Sequence, residues 1–178
     1  MSRTLAVLAF ALSPVAPAAE PVGSIDMEQY EGLWYEIGST PAPFEQNCEG
    51  GATAHYSLRD DGSVAVLNRC DLPADETSRI EGVARPENDA GSALTVTFRG
   101  QPSREETNYI IHATGPVEDG RYRWAVVSGS GGKPAWILAR DPALSGDAMV
   151  EARAAFEAAG LDYALFETTP QPPRTYEP

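Results

Sequence analysis

Hydrophobic and polar residues alternate in eight short runs between Gly32 and Arg140, and turn residues separate the runs. The runs read GLWYEIGS, GGATAHYSL, SVAVLNRC, SRIEGVARP, SALTVTFRG, NYIIHATG, YRWAVVSG and PAWILARDP. Alternation with a period of two is typical of strands that bury one face. The connections are too short for the crossover helices of a parallel sheet, so the pattern predicts an all-β antiparallel barrel or sandwich.

One helix is predicted after the eighth run. Ser145 is a suitable N-cap, and Gly160 ends the segment as a C-terminal glycine would. Four apolar residues share one side of this helix, which should therefore pack against the outside of the sheet: Met149, Ala152, Phe156 and Ala159.

The two ends of the chain differ in composition from the middle. Residues 1–19 have a basic start, an apolar run from Leu5 to Leu12 and a small-residue cleavage site, so they are predicted to be a signal peptide. The alternative, a buried N-terminal helix, is disfavoured by the prolines that follow. We expect one domain at 20–169 and an extended, proline-rich tail at 170–178.

The formal net charge of −13 disfavours nucleic acids and anionic lipid surfaces as partners. After the signal peptide, no apolar stretch approaches the roughly twenty residues of a membrane helix. No cysteine precedes Cys48, so we expect no N-terminal lipid anchor. The protein is predicted to be soluble, periplasmic or secreted, and a monomer or weak homodimer.

The two cysteines are predicted to form a disulfide. Cys48 precedes the second run and Cys70 ends the third, which places them opposite each other across the hairpin closed by residues 60–62. An exported protein favours such a bond. Metal or thiol chemistry is the alternative, but only His55 and His112 could join the cysteines and no zinc-type spacing is present. No metal and no cofactor are therefore expected.

The first run contains the sequence YEGLWYEIG, with a tryptophan two residues after a glycine. If Trp34 faces inward, it closes one end of a barrel, and Gly32 lets the chain pass close beside it. The guanidinium of Arg140 could stack on the indole and donate to nearby carbonyls. The first and last strands would then meet.

These motifs resemble the lipocalin family, above all its bacterial outer-membrane and apolipoprotein D groups. The resemblance runs from Glu28 to Thr168 and rests on GLWYEI, ATAHYSLRDDGSVAVLN, IEGVA and AWILARDP followed by one helix. It implies an eight-stranded up-and-down barrel with one C-terminal helix outside. It also implies transport of a small hydrophobic ligand, a role in membrane lipid maintenance, and Gly32, Trp34 and Arg140 as fold residues. The segment 115–120 departs from the family by lacking a Thr-Asp-Tyr element.

Strand alternation, with the family pattern as a guide to phase, predicts a largely apolar inner face. Such a wall suits a fatty acid, a lysophospholipid or a similar lipid. Phe44 is expected over the mouth as a lid, and His112 is a candidate partner for a carboxylate or a haem propionate. The alternative is a barrel filled by its own side chains. The residues predicted to contact ligand are Tyr56, Val66, Val96, Phe98, Ile110, His112, Ala125, Val127, Trp136 and Leu138.

Two other functions compete with ligand transport. A lipocalin-like enzyme would need a nucleophile and base, but residues 128–132 (SGSGG) fit neither a nucleophile elbow nor a dinucleotide-binding loop. Glu105 and Glu106 are sequence neighbours and suit a solvated loop. We therefore predict no catalytic residues. The remaining alternative is a module that binds a protein partner through the mouth loops.

Overall fold

The chain forms eleven β-strands and two α-helices within residues 23–103 and 105–172, the parts that the computed structural model describes. The strands are β1 (Gly32–Ser39), β2 (Gly50–Leu58), β3 (Val64–Leu72), β4 (Glu76–Pro86), β5 (Ala93–Phe98), β6 (Tyr109–Thr114), β7 (Val117–Glu118), β8 (Arg121–Tyr122), β9 (Trp124–Ser128), β10 (Ala135–Ala139) and β11 (Glu167–Thr168). The helices are α1 (Met27–Tyr30) and α2 (Gly146–Ala158). Short 3₁₀ turns lie at Pro43–Glu45, Pro73–Asp75, Ser130–Gly132 and Tyr163–Leu165.

Eight of the strands close into an antiparallel barrel. Their order is β1-β2-β3-β4-β5-β6-β9-β10, and β10 pairs back with β1, placing Tyr35 opposite Ala139. β11 adds to β1, while β7 and β8 form a separate small hairpin. The predicted eight-stranded up-and-down barrel is confirmed. Closure leaves no free edge around the ring, which removes a common route to aggregation.

The helix α2 packs outside the barrel, as predicted. The Ser145 side chain accepts a hydrogen bond from the backbone N–H of Ala148, which satisfies a donor at the helix start. Ala152 and Phe156 are fully buried, and the helix contacts β6 and β9. Burying a phenylalanine stabilises a fold by about 2 kcal/mol. The apolar face of α2 therefore forms a second core outside the barrel wall.

The strands of the barrel separate two apolar clusters. On β9, Ala125 and Val127 belong to the inner cluster, whereas Trp124 and Val126 belong to the cluster under α2. The inner cluster also includes Tyr30 from α1, which lies across one end of the barrel. This end is called the closed end below. The other end, reached by residues 41–49 and by the loop between β9 and β10, is called the mouth.

A β-bulge in β6 changes the phase of that strand. Ile111 pairs with Val127 and lies in the inner cluster, but Ala113 rather than His112 pairs with Val126. Strict alternation from Ile111 puts Ile110 on the outer face, and His112 is the extra residue of the bulge. The prediction that Ile110 and His112 face the cavity is therefore wrong, because it inverted the strand by one residue.

A disulfide joins Cys48 and Cys70, as predicted, with a Cα–Cα distance of 5.7 Å. Cys48 lies in the segment 41–49 that leads into β2, and Cys70 lies on β3. Closing a loop of this length stabilises a protein by about 3 kcal/mol in the chain-entropy account. The bond therefore ties the segment at the mouth to the barrel wall.

The predictions for the two ends of the chain fall mostly on residues that the structure does not describe. The expected signal peptide at 1–19 lies outside the described residues, as does most of the tail expected at 170–178. Thr169 and Pro170 run beside the barrel, with the Gly51 N–H donating to the carbonyl of Pro170 at 2.8 Å. Among the residues 23–103 and 105–172, no helix is both long and apolar enough to cross a membrane.

Candidate ligand-binding site

The barrel contains a cavity of about 610 Å³ that reaches from the closed end to the mouth. This volume falls within the range of small-molecule sites. Met27 and Tyr30 line it at the closed end, and Phe44 and Pro134 line it at the mouth. The aliphatic part of its wall consists of Ala52, Ala54, Val64, Val66, Ile80, Ala84, Leu94, Val96, Val127 and Leu138.

Seven of the ten residues predicted to contact a ligand line this cavity. The wall also includes the small side chains of Ala54 and Ala84, which take up little of the barrel interior. Contact of these residues with a ligand stays a prediction. The seven are Tyr56, Val66, Val96, Phe98, Val127, Trp136 and Leu138.

The other three predicted residues do not line the cavity. Ala125 faces inward but is fully buried against its neighbours. Ile110 is kept out of the lining by its phase next to Ile111, and His112 by the bulge in β6. The His112 Nε2 lies 2.8 Å from the Ser128 hydroxyl, and burial lowers the pKa of the imidazole. His112 is thus a partly buried residue of the wall that lies outside the lining and contacts Ser128.

The closed end is built on a stack of Arg140 over Trp34. The Arg140 Cζ lies 3.8 Å from the centre of the indole, and Trp34 has no exposed surface. The guanidinium donates to the carbonyls of Leu33, Gln29 and Tyr30 at 2.8 to 3.0 Å. The indole N–H donates to the Tyr30 carbonyl at 2.7 Å. The predicted stack is present, and it fixes α1 across the end of the barrel.

Gly32 passes close to this stack in a conformation that suits glycine. Its φ is +98°, in the region that other residues rarely adopt. A Cβ at this position would lie 3.3 Å from the Arg121 Nη1 and 3.4 Å from the Arg140 Nη1. The glycine therefore gives the two guanidinium groups the space they occupy beside β1.

Three tyrosines form a hydrogen-bonded cluster at the inner end of the cavity. The Tyr30 and Tyr109 hydroxyl oxygens are 2.8 Å apart, and the Tyr56 hydroxyl donates to that of Tyr109 at 3.1 Å. All three line the cavity. Burial raises the pKa of Tyr56 to about 12 and those of Tyr30 and Tyr109 well above the ordinary value. The cluster is therefore neutral at physiological pH.

The mouth carries a buried carboxyl group on β1. Glu36 is 8% exposed, and its Oε1 accepts a hydrogen bond from the Thr169 hydroxyl at 2.5 Å. Burial raises the pKa of this carboxyl, while the hydrogen bonds from Thr169 and Ser39 act in the opposite direction. A buried carboxyl group that keeps its proton more readily is less costly in an apolar wall.

A second carboxyl group and two aromatic rings complete the mouth. Burial, together with the neighbouring charge of Glu36, raises the pKa of Glu45 to about 8. Phe44 is 70% exposed, and its ring centre lies 6.2 Å from that of Trp136. Both rings line the cavity. The Phe44 side chain therefore stands at the entrance, where a lid was predicted.

The sequence reasoning missed Tyr30, Tyr109 and Glu45. Tyr30 lies in α1, before the first strand, where strand alternation gives no guidance. Tyr109 was lost with the inverted phase of β6, although its pairing with Leu94 on an inward position would have identified it. Glu45 lies in a 3₁₀ turn with no periodic pattern. Within the described residues, no group of three potential metal ligands is present.

The sequence comparisons agree with this architecture. A model of the lipocalin-like domain matches residues 25–171. The outer membrane lipoprotein Blc of Escherichia coli K12 is 34% identical over 175 residues, which is 96% of this chain and 94% of that protein. Mouse apolipoprotein D is 30% identical over 166 residues, covering 89% of this chain and 82% of its own length.

Solved structures share the fold at low sequence identity. Insecticyanin from the tobacco hornworm Manduca sexta superposes with a TM-score of 0.68 at 19% identity, covering 88% of this chain and 86% of its own. Apocrustacyanin C2 gives 0.63 at 18% identity, with 83% and 81% covered. The closed barrel, the helix outside it and the match across residues 25–171 together show that this chain belongs to the lipocalin family.

Proposed function

We propose that this protein binds and carries a small hydrophobic ligand inside its barrel, and that a fatty acid, a lysophospholipid or a similar lipid fits best. The single observation that carries the proposal is the cavity of about 610 Å³ with an aliphatic and aromatic wall. An apolar wall with few polar groups binds apolar chains through the area that they bury. The family membership supports the same role.

We further propose that the protein acts in the periplasm or outside the cell. The Cys48–Cys70 disulfide supports an oxidising compartment, where such bonds persist. A 34% identical relative is named as an outer membrane lipoprotein, which supports work close to a membrane surface. Exchange of lipids at a membrane, as in lipid maintenance, is the role that we infer from these two facts.

A binding role is favoured over an enzymatic one by the environment of the contact between Ser128 and His112. The Ser128 hydroxyl is fully buried and lies outside the cavity lining, so a ligand in the barrel cannot reach it. The His112 Nδ1 has no hydrogen-bond partner among the described residues that could orient the ring. A catalytic triad needs an accessible nucleophile and an oriented base.

The test is a titration of tryptophan fluorescence in the oxidised, delipidated protein. Trp136 lines the cavity, so an occupying ligand should change its emission. The ligands are a fatty acid, a lysophospholipid, a retinoid and haem. We expect saturable quenching at micromolar concentration by one of the first two and weaker responses to the others.

Two variants serve as controls, one with an arginine inside the cavity and one with an arginine on the outer surface. Val96→Arg puts a guanidinium in the apolar wall and should abolish binding. Val150→Arg alters an exposed position of α2 and should bind as the wild type does, and circular dichroism confirms that both variants are folded. If none of the four ligands changes the emission, the transport proposal fails and the mouth loops become the site to test for a protein partner.

A further inference from the structure

The three tyrosine hydroxyls at the inner end of the cavity supply one more O–H donor than the hydrogen bonds between them use. Tyr30, Tyr56 and Tyr109 supply three O–H donors, and two hydrogen bonds join them. Whichever hydroxyl donates in the Tyr30–Tyr109 pair, one O–H is left over in a cluster that lines the cavity. A donor inside an apolar cavity is stabilised by an oxygen acceptor on whatever occupies it.

The charges behind this cluster favour an electron-rich group. The ring of Tyr30 lies 4.9 Å from that of Trp34, and the Arg140 guanidinium stacks on the same indole at 3.8 Å. Arg121 lies close by, within 3.3 Å of where a Cβ on Gly32 would be. Two guanidinium groups therefore lie at the closed end, and the charge of Arg140 acts on the hydroxyls of Tyr30 and Tyr56.

The mouth half of the cavity offers no comparable site. Its lining contains two acids, Glu36 and Glu45, and two bases, Arg69 and Lys133. Water reaches both bases, since Lys133 is exposed and Arg69 is partly exposed. Because water screens such charges and competes for their hydrogen bonds, an acyl chain with an acceptor end gains more at the inner end, where the donor lies in an apolar cavity.

We infer that the tyrosine cluster of Tyr30, Tyr56 and Tyr109 anchors the polar end of the ligand, so that a single-chain fatty acid is bound with its carboxyl group inward and its methyl end at the mouth. The inference rests on the proposed transport function and adds the ligand's orientation and its class. To reach the tyrosine cluster, the bulky phosphate headgroup of a lysophospholipid would have to pass along the whole apolar wall. We therefore expect the protein to bind a free fatty acid more tightly than a lysophospholipid.

The first experiment measures what the cluster contributes to affinity. The fluorescent probe is a neutral naphthylamine that is added first to occupy the cavity. Decanoic acid, its methyl ester and decane are then added as competitors. We expect the acid and the ester to compete better than decane. Tyr109→Phe removes the hydroxyl shared by both hydrogen bonds and should weaken the acid about tenfold, leaving decane unchanged. Tyr35→Phe changes a buried tyrosine that does not line the cavity and serves as the matched control.

The second experiment reads the orientation directly. Trp136 is half-buried at the mouth, whereas Trp34 and Trp124 are at most 5% exposed, so the red edge of the emission reports Trp136. Bromine quenches tryptophan at short range. A fatty acid brominated at its methyl end should quench this emission more strongly than one brominated beside the carboxyl group. The reverse order would overturn the inward orientation.

The outcomes separate the inference from the proposed function. If the naphthylamine binds but acid, ester and decane compete equally and Tyr109→Phe changes nothing, the anchor is wrong and the transport role stands. If neither the probe nor any chain binds, both fail. A preference for the acid that survives Tyr109→Phe and Tyr56→Phe would also overturn the inference, because the selectivity would then come from another part of the wall.

Discussion

At the residue scale, the closed end depends on one cation with several fixed partners. Arg140 donates to four backbone carbonyls and covers the indole of Trp34. Only a planar guanidinium has enough donors in the right directions to do both, since lysine has three donors on a point charge. This pair could be predicted from the sequence because a buried tryptophan needs a partner and Arg140 lies at the end of the eighth run.

Replacing Arg140 with lysine should therefore destabilise the fold despite keeping the charge. We expect the free energy of unfolding to fall by roughly 2–3 kcal/mol, because buried carbonyls lose their donors and the stack is lost. Urea unfolding followed by circular dichroism measures it. Arg79→Lys, at an exposed position, should cost less than about 0.5 kcal/mol. Equal costs at the two positions would contradict this account of the closed end.

The tyrosine cluster was beyond sequence reasoning for a physical reason. Its members come from three elements, α1, β2 and β6, and their hydroxyls meet only after the barrel has closed. Tyr56 was predicted to face inward, but a tyrosine on an apolar face is equally suited to filling a core. What it does in the cavity depends on Tyr30 and Tyr109, which no local pattern connects to it.

At the element scale, alternation identified the strands and failed where a strand is irregular. Seven of the eight runs have the predicted phase at the residues singled out, including β9 and β10, which are apolar on both faces. In β6 both faces carry apolar groups, and the bulge between Ile111 and Ala113 shifts the pairing. An extra residue in one strand of a pair leaves no mark in its hydrophobic pattern, so the sequence could not reveal it.

The 3₁₀ turn at Pro43–Glu45 should make stability depend on pH. The folded-state pKa of Glu45, about 8, lies above its ordinary value, so the native chain holds a proton that the unfolded chain loses. Stability contributed by this group is therefore highest below about pH 4.5 and falls as the pH rises to about 8. The loss of stability on ionising Glu45 should be limited to roughly 1 kcal/mol, because the turn can move and let water hydrate the carboxylate.

Glu45→Gln tests this directly. Between pH 5 and pH 8.5, the variant should lose about 1 kcal/mol less stability in urea unfolding than the wild type does. Glu49→Gln, at an exposed position of the same segment, should follow the wild type. If the wild type and Glu45→Gln change in parallel, Glu45 titrates without a cost to the fold. Because the charges of Glu36 and Glu45 interact, the difference between wild type and Glu45→Gln reports Glu45 together with its effect on Glu36.

At the scale of the whole molecule, the barrel was predictable and its interior volume was not. Eight short runs with short connections permit few topologies, and the pairing of β10 with β1 follows once the sheet closes. The cavity instead depends on whether side chains from opposite walls meet, which small differences in strand tilt and packing decide. The sequence left an open and a filled barrel as alternatives for this reason.

The disulfide has a consequence for the loaded protein, because Cys48 and Cys70 both line the cavity. A ligand that fills the barrel lies against this bond and obstructs the approach of a reducing thiol. We expect dithiothreitol to reduce the bond several-fold more slowly at saturating lipid, with no protection in Val96→Arg. An unchanged rate would mean that the sulfurs are reached from outside the barrel. Empty molecules would then be the first to lose their covalent cross-link under reducing stress, and loaded molecules would outlast them.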